Sequence, residues 1–140
     1  MDILARQYLW QDGLDYDHGT GHGVGAFLSV HEGPQRIAKS GPQLAILPGM
    51  VISNEPGYYK EGCYGIRCEN LVIVNEREDG FLEFETITFA PFDTRLVEPS
   101  LMSPTEIAWL NDYHAKVRQH LTPLLSGADL DWLERFTHAV

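Results

Sequence analysis

Three imidazoles stand close together in two adjoining stretches, Asp17-His18-Gly19-Thr20-Gly21-His22-Gly23-Val24-Gly25 and His31-Glu32-Gly33-Pro34. Histidine is the commonest side-chain metal ligand and a general acid or base near neutral pH. Glycine, lacking Cβ, lets backbone approach a ligand or another strand closely. His18 and His22 would share one face of a helix, but so many glycines argue against a helix interior. The segment therefore reads as a turn feeding a strand, not as a helical His-Glu-x-x-His metal motif. It reads equally well as a glycine loop with ordinary surface histidines.

Carboxylates recur at strand ends further on. Met50 to Glu55 reads as a strand stopped by Pro56, and the residue before a proline is pushed into an extended conformation. Glu55 is thus held out at a strand end, as a ligand or as a plain exposed acid. Ile66 to Asn75 reads as a strand. Period two puts Arg67, Glu69, Leu71 and Ile73 on one face, and Cys68, Asn70, Val72 and Val74 on the other. Arg67 and Glu69 fit a surface ion pair of little worth. They also fit a ligating carboxylate oriented by a guanidinium; on spacing alone the surface pair is the simpler account.

The elements that must position these groups are legible in part. Residues 2–13 predict a helix with Asp2 at its cap, an apolar stripe of Ile3, Leu4, Tyr8, Leu9 and Trp10, and a stop at Gly13. Ala26 to His31 predicts a short strand. Pro48-Gly49 suits a type II turn. Residues 76–80 form a charged turn, followed by Phe81 to Phe89 as two arms or one continuous strand. Ser103-Pro104-Thr105-Glu106 is a capping box with proline at the first helical position. Ile107, Leu110, Tyr113 or His114, Val117 and Leu121 follow at helical spacing, and Pro123 ends the helix. Asp129 is placed to cap a last helix carrying Leu130, Leu133 and Phe136.

At 140 residues and 44% hydrophobic, the chain has enough material for a modest core. A net charge of -10 speaks against a nucleic-acid partner. Cys63 and Cys68 make no disulfide framework, which fits reduced thiols in a cytoplasmic protein. No apolar run is long enough to span a bilayer, and no signal-peptide pattern opens the chain, so no membrane association is expected.

Four blocks occur in a telling order: His18 to Gly25, Val30 to Pro34, Asn54-Glu55-Pro56-Gly57-Tyr58-Tyr59, and Gly65-Ile66-Arg67-Cys68-Glu69-Asn70. Together they resemble the Xaa-Pro aminopeptidases (aminopeptidase P), metallopeptidases of pita-bread fold. Thr86 to Pro91 and the Trp109-Leu110-Asn111-Asp112-Tyr113-His114 tail extend the likeness to the long-branch type. The resemblance implies an α+β fold: the C-terminal half of a pita-bread domain over 1–99, with a curved, mainly antiparallel sheet and flanking helices. A helical C-terminal extension would occupy 100–140. It implies His22, Glu55 and Glu69 as ligands of two divalent ions, manganese in the first place and zinc or cobalt otherwise. It puts His18 and His31 against substrate, Arg67 beside the last glutamate, and Glu55 as general base. The implied reaction is hydrolysis of the first peptide bond of a peptide with proline in second position.

One departure matters. The family's two aspartates and a further histidine lie upstream of anything here, and Asp12, Asp15 and Asp17 are too close to His18 to match their spacing. The resemblance therefore implies three of five protein ligands, a missing N-terminal half, a homodimer, and an isolated chain with little or no activity. Alternatives are a prolidase-like dipeptidase, a metal-free creatinase-like branch, against which Glu55 and Glu69 count, and a non-catalytic pita-bread binding module.

Overall fold

A computed structural model describes residues 1–27, 29–41 and 44–140. Two compact units divide the chain, Met1–Thr88 and Phe89–Val140.

The first unit opens with helix α1, Asp2–Gln11. Seven strands follow: β1 Gly21–His22, β2 Arg36–Ile37, β3 Val51–Asn54, β4 Gly57–Lys60, β5 Tyr64–Arg67, β6 Asn70–Glu76 and β7 Leu82–Thr86. All pairings are antiparallel, in three small sheets of order β1-β2, β3-β6-β7 and β4-β5. A bridge from Gly23 to Ile52 links the first sheet to the second. The core is Ile37, Ile52, Val72 and Val74, with Ile46 and Met50 packed against it. The turn at Pro48-Gly49 forms as expected, with Gly49 at φ +84° and the Met50 N–H reaching the Leu47 carbonyl.

Expectations for three segments of this unit need correcting. Helix α1 ends where Gly13, at φ +70°, requires, but Asp2 lies inside the helix and makes no cap bond. Its buried residues are Asp2 and Arg6, while Ile3, Leu4, Tyr8 and Trp10 are exposed. A buried ion pair takes the inward face because the following loop offers carbonyls that need donors. The strand expected over 26–31 does not form among the described residues. Leu28 lies outside them, Ala26 and Phe27 sit in a turn, and Gly23 and Gly25 tie back to Glu32 and Ser29 through backbone bonds. The single strand expected over 66–75 is two: β5 pairs with β4, β6 pairs with β3, and Cys68 and Glu69 fall in the break. Within β6 the foreseen alternation holds, Asn70, Val72 and Val74 being the buried set. Of Phe81 to Phe89, only Leu82–Thr86 is strand, the single strand β7; Phe81 and residues 87–89 lie outside it.

The second unit is helical. Helix α2, Pro104–Leu121, starts with both bonds of the capping box, Ser103 accepting from Glu106 N–H and Glu106 accepting from Ser103 N–H. Helix α3, Ala128–Phe136, is preceded by Gly127 without a side-chain cap, so Asp129 lies in the first turn and does not cap it. Its charge still favours the helix N-terminus. Tyr113, Val117 and Leu133 form the core, with Phe89, Phe92, Leu121, Leu125 and Leu130 around them. His114 is fully buried; its Nε2 accepts from Phe92 N–H, while Nδ1 has no partner among the described residues.

Burial, and then the charge of Arg118, hold the His114 imidazole below its ordinary pKa. The unfolded chain therefore takes up the proton first. This contribution to stability is complete above about pH 6.5 and falls as pH drops below it, until the folded imidazole also titrates. Denaturant midpoints between pH 8 and 5 should fall more steeply for the native chain than for His114→Leu. That variant should be less stable throughout, because Phe92 N–H loses its acceptor.

Candidate functional site

The two-residue strand β1 carries His22 beside β3, and Glu55 follows directly on the end of β3. Glycine makes this approach possible: a Cβ on Gly21 would lie 2.1 Å from the Ser53 carbonyl oxygen, and one on Gly23 would lie 2.1 Å from that of Glu32. The Glu55 N–H donates to the Thr20 carbonyl at 2.8 Å, tying the strand end to the loop before β1. Ser53, fully buried, joins the two elements through its side chain. Its Oγ accepts from His22 N–H at 3.0 Å and donates to Glu55 Oε1 at 3.0 Å.

One open cavity of about 680 Å³ is lined by His18, His22, His31, Glu55, Arg67 and Glu69, along with Gly19, Gly21, residues 30–36 and no residue of the second unit. All six side chains singled out in the sequence thus border a single space. His22 Nε2 lies 2.9 Å from Glu55 Oε1. The rings of His22 and His31 are 4.3 Å apart. Arg67 Nε lies 3.1 Å from Glu69 Oε2 and 3.8 Å from Glu55 Oε2, so the guanidinium stands between the two carboxylates. Tyr59 and then Glu69 hold the Arg67 guanidinium above its ordinary pKa, so it stays charged.

The tautomers follow from the hydrogen bonds. His22 Nδ1 lies 2.9 Å from the Gly23 carbonyl, which can only accept, so Nδ1 carries a proton. Nε2 then presents a lone pair to a carboxylate oxygen. Two lone pairs facing across that gap call for a proton or a cation between them. One imidazole nitrogen with nearby carboxylates suits a hard divalent ion. Among the described residues, no three such side chains already converge on one point; Glu69 is turned to Arg67. His18 is fixed likewise, Nδ1–H donating to Gly19 O at 2.8 Å and Nε2 accepting from the Tyr59 hydroxyl at 2.7 Å.

Ser53 and Tyr59 are site residues that sequence reasoning assigned no role. Tyr59 stood inside a quoted block, and period two along β3 puts Ser53 on the same face as Glu55.

Residues 1–76 match the profile of Metallopeptidase family M24, and residues 80–140 match that of the C-terminal region of peptidase_M24. The chain belongs to metallopeptidase family M24. It is 46% identical to "Aminopeptidase P1" of Lotus japonicus, over 100% of this chain and 22% of that protein. It is 51% identical to "Probable Xaa-Pro aminopeptidase P" of Coprinopsis cinerea, over 98% of this chain and 24% of that protein. Among solved structures it is similar to an X-prolyl aminopeptidase from Caenorhabditis elegans, described as a cytosolic enzyme with a di-nuclear active site. That match has a TM-score of 0.87 and 38% identity, over 99% of this chain and 24% of that one. The M24 chain thus spans about a quarter of the relatives it matches, their C-terminal portion, and its helices and antiparallel sheets belong to the pita-bread fold.

Two substitutions test how this wall is held. Gly21→Ala should destabilise the full-length M24 protein by about 2 kcal/mol or more, since backbone must move to admit the methyl; a thermal melt reads this. Ser53→Ala should cost about 1–3 kcal/mol, because the His22 N–H loses its acceptor. A crystal structure should show Glu55 turned away from the position Ser53 now holds.

Proposed function

We propose that the full-length protein is a two-metal aminopeptidase that removes the first residue from peptides with proline in second position. The observation that carries this reading is the cavity in which His22, Glu55 and Glu69 lie with two further imidazoles and the arginines Arg36 and Arg67. The named relatives support the substrate class. A prolidase-like reading is weaker: the similar Xaa-Pro dipeptidase from Bacillus anthracis, at TM-score 0.51, covers only 64% of this chain.

His22, Glu55 and Glu69 would hold the ions together with aspartates supplied from outside this chain; manganese is the first choice for so oxygen-rich a set. Ions held there would supply an acidified water and a Lewis acid for the scissile carbonyl. Glu55 takes up the proton of that water on a carboxylate oxygen, held in place by Ser53 Oγ–H. His31 hydrogen-bonds the substrate carbonyl as charge develops on its oxygen, and His18 does so in its protonated form, when Nε2–H can turn from the Tyr59 hydroxyl to that oxygen. Arg67 keeps the Glu69 carboxylate in one orientation. We also assign residues 1–99 to the catalytic domain and 100–140 to its helical extension, and place the protein in the cytoplasm as a homodimer. Trp109 and Trp132, both exposed, are candidates for the dimer contact.

In the full-length protein, Glu69→Ala should lower metal content below two ions per chain and reduce turnover of an Arg-Pro-Pro peptide by at least about a thousandfold. Residues 1–140 alone, supplied with manganese, should show no measurable turnover. Two ions retained and activity intact in Glu69→Ala would refute the assignment.

A further inference from the structure

We propose that Arg6 is the positioning residue for His18, setting the backbone from which that imidazole reaches the cavity. This rests on the reading that His18 meets substrate.

Arg6 is fully buried, in a helix whose apolar residues are largely exposed. Burying a guanidinium is costly unless its donors are met, and here they are. Nε donates to Asp2 at 2.7 Å. Nη1 donates to Asp15 at 2.7 Å and to the Tyr16 carbonyl at 2.6 Å. Nη2 donates to the His18 carbonyl at 2.6 Å. Two carboxylates therefore hold the guanidinium, and the guanidinium holds two carbonyls on either side of Asp17. The stretch 14–20 forms no helix or strand. Backbone without a ladder needs another partner for its carbonyls, and a rigid fork of donors suits two at once.

The contacts continue toward the cavity. The Arg6 guanidinium lies 3.7 Å from the Tyr16 ring centroid, and that ring lies 4.8 Å from the ring of His18. Tyr16 Oη meets Thr20 Oγ1 at 2.5 Å, and Thr20 Oγ1 donates to Asp2 at 2.7 Å. The loop is thus fixed in its middle by Arg6 and at its end by Asp2. A lysine could meet Asp2 but could not span both carbonyls.

The test uses the full-length protein loaded with manganese. Arg6→Lys and Arg6→Gln should lower kcat for a Xaa-Pro peptide by at least about tenfold, because small misplacement of a group near the reacting centre is costly. KM should change less, and metal content should stay at the native value, since His22, Glu55 and Glu69 are untouched. Lys39→Met, which removes an outer partner of Asp15 and a longer 3.4 Å contact to the Tyr16 carbonyl but leaves both carbonyls on Arg6, should leave kcat within about twofold. A crystal structure of Arg6→Lys should show His18 Nε2 parted from Tyr59 Oη while His22 remains against Glu55. If Arg6→Gln does not fold, Arg6→Lys carries both readouts. Native kcat in folded Arg6→Lys, or activity and metal lost in equal proportion, overturns the proposal. If the native protein does not cleave Xaa-Pro peptides, the functional reading fails by itself. The His18–Tyr59 distance in Arg6→Lys then decides the role of Arg6 without it.

Discussion

The closeness of two backbones, where Gly21 passes Ser53, is the constraint on which the site depends. Strand β1 is too short to be held by its ladder to β2 alone. It is held because a glycine admits the Ser53 carbonyl where any side chain would collide. His22 follows immediately, with its N–H on Ser53 Oγ and its ring against Glu55. The histidine and the glutamate, distant in the chain, are therefore neighbours through backbone geometry before any ion is considered. The core of Ile37, Ile52, Val72 and Val74 fixes the sheets that carry both.

What was legible in the sequence follows how local each signal is. The Ser103 capping box is complete within four residues, and α2 begins and ends where that box and Pro123 say. The Pro48-Gly49 turn is legible for the same reason. The Arg67–Glu69 contact was readable from spacing, although the strand supposed to carry it is broken between them. The break exists because β5 and β6 take different partners, and partner choice is not written in either segment. Helix α1 was readable as a helix but not in its orientation: its apolar residues look inward-facing until the loop at 14–20, with carbonyls lacking a ladder, draws Arg6 inside. The candidate site divides in the same way. His18, His22, His31, Glu55, Arg67 and Glu69 stand in recognisable blocks. Ser53, Tyr59 and Arg6 earn their place only through contacts made in space.

The two units differ in what holds them. The first rests on a small aliphatic core and several buried polar contacts. In one of these, burial raises the Asp2 pKa but the bonds from Arg6 and Thr20 outweigh it and hold the carboxyl below its ordinary value. The second rests on aromatic and aliphatic packing, with Tyr113 donating to the Ala90 carbonyl at 2.6 Å and the Phe92 ring tilted against it at 4.9 Å. Rigid polar anchoring thus lies where side chains must be aimed, and conventional packing lies where they need not be.

Strand β7 closes one side of its sheet, and among the described residues no strand pairs with its outer edge. Phe84 is exposed within it and Phe81 just before it, yet Glu83 and Glu85 flank Phe84 along the strand. Unpaired edges recruit further strands, and like charges on them resist this. On a chain of net charge -10 the guard is electrostatic, so dissolved salt, by shortening its reach, sets how readily isolated copies stack edge to edge.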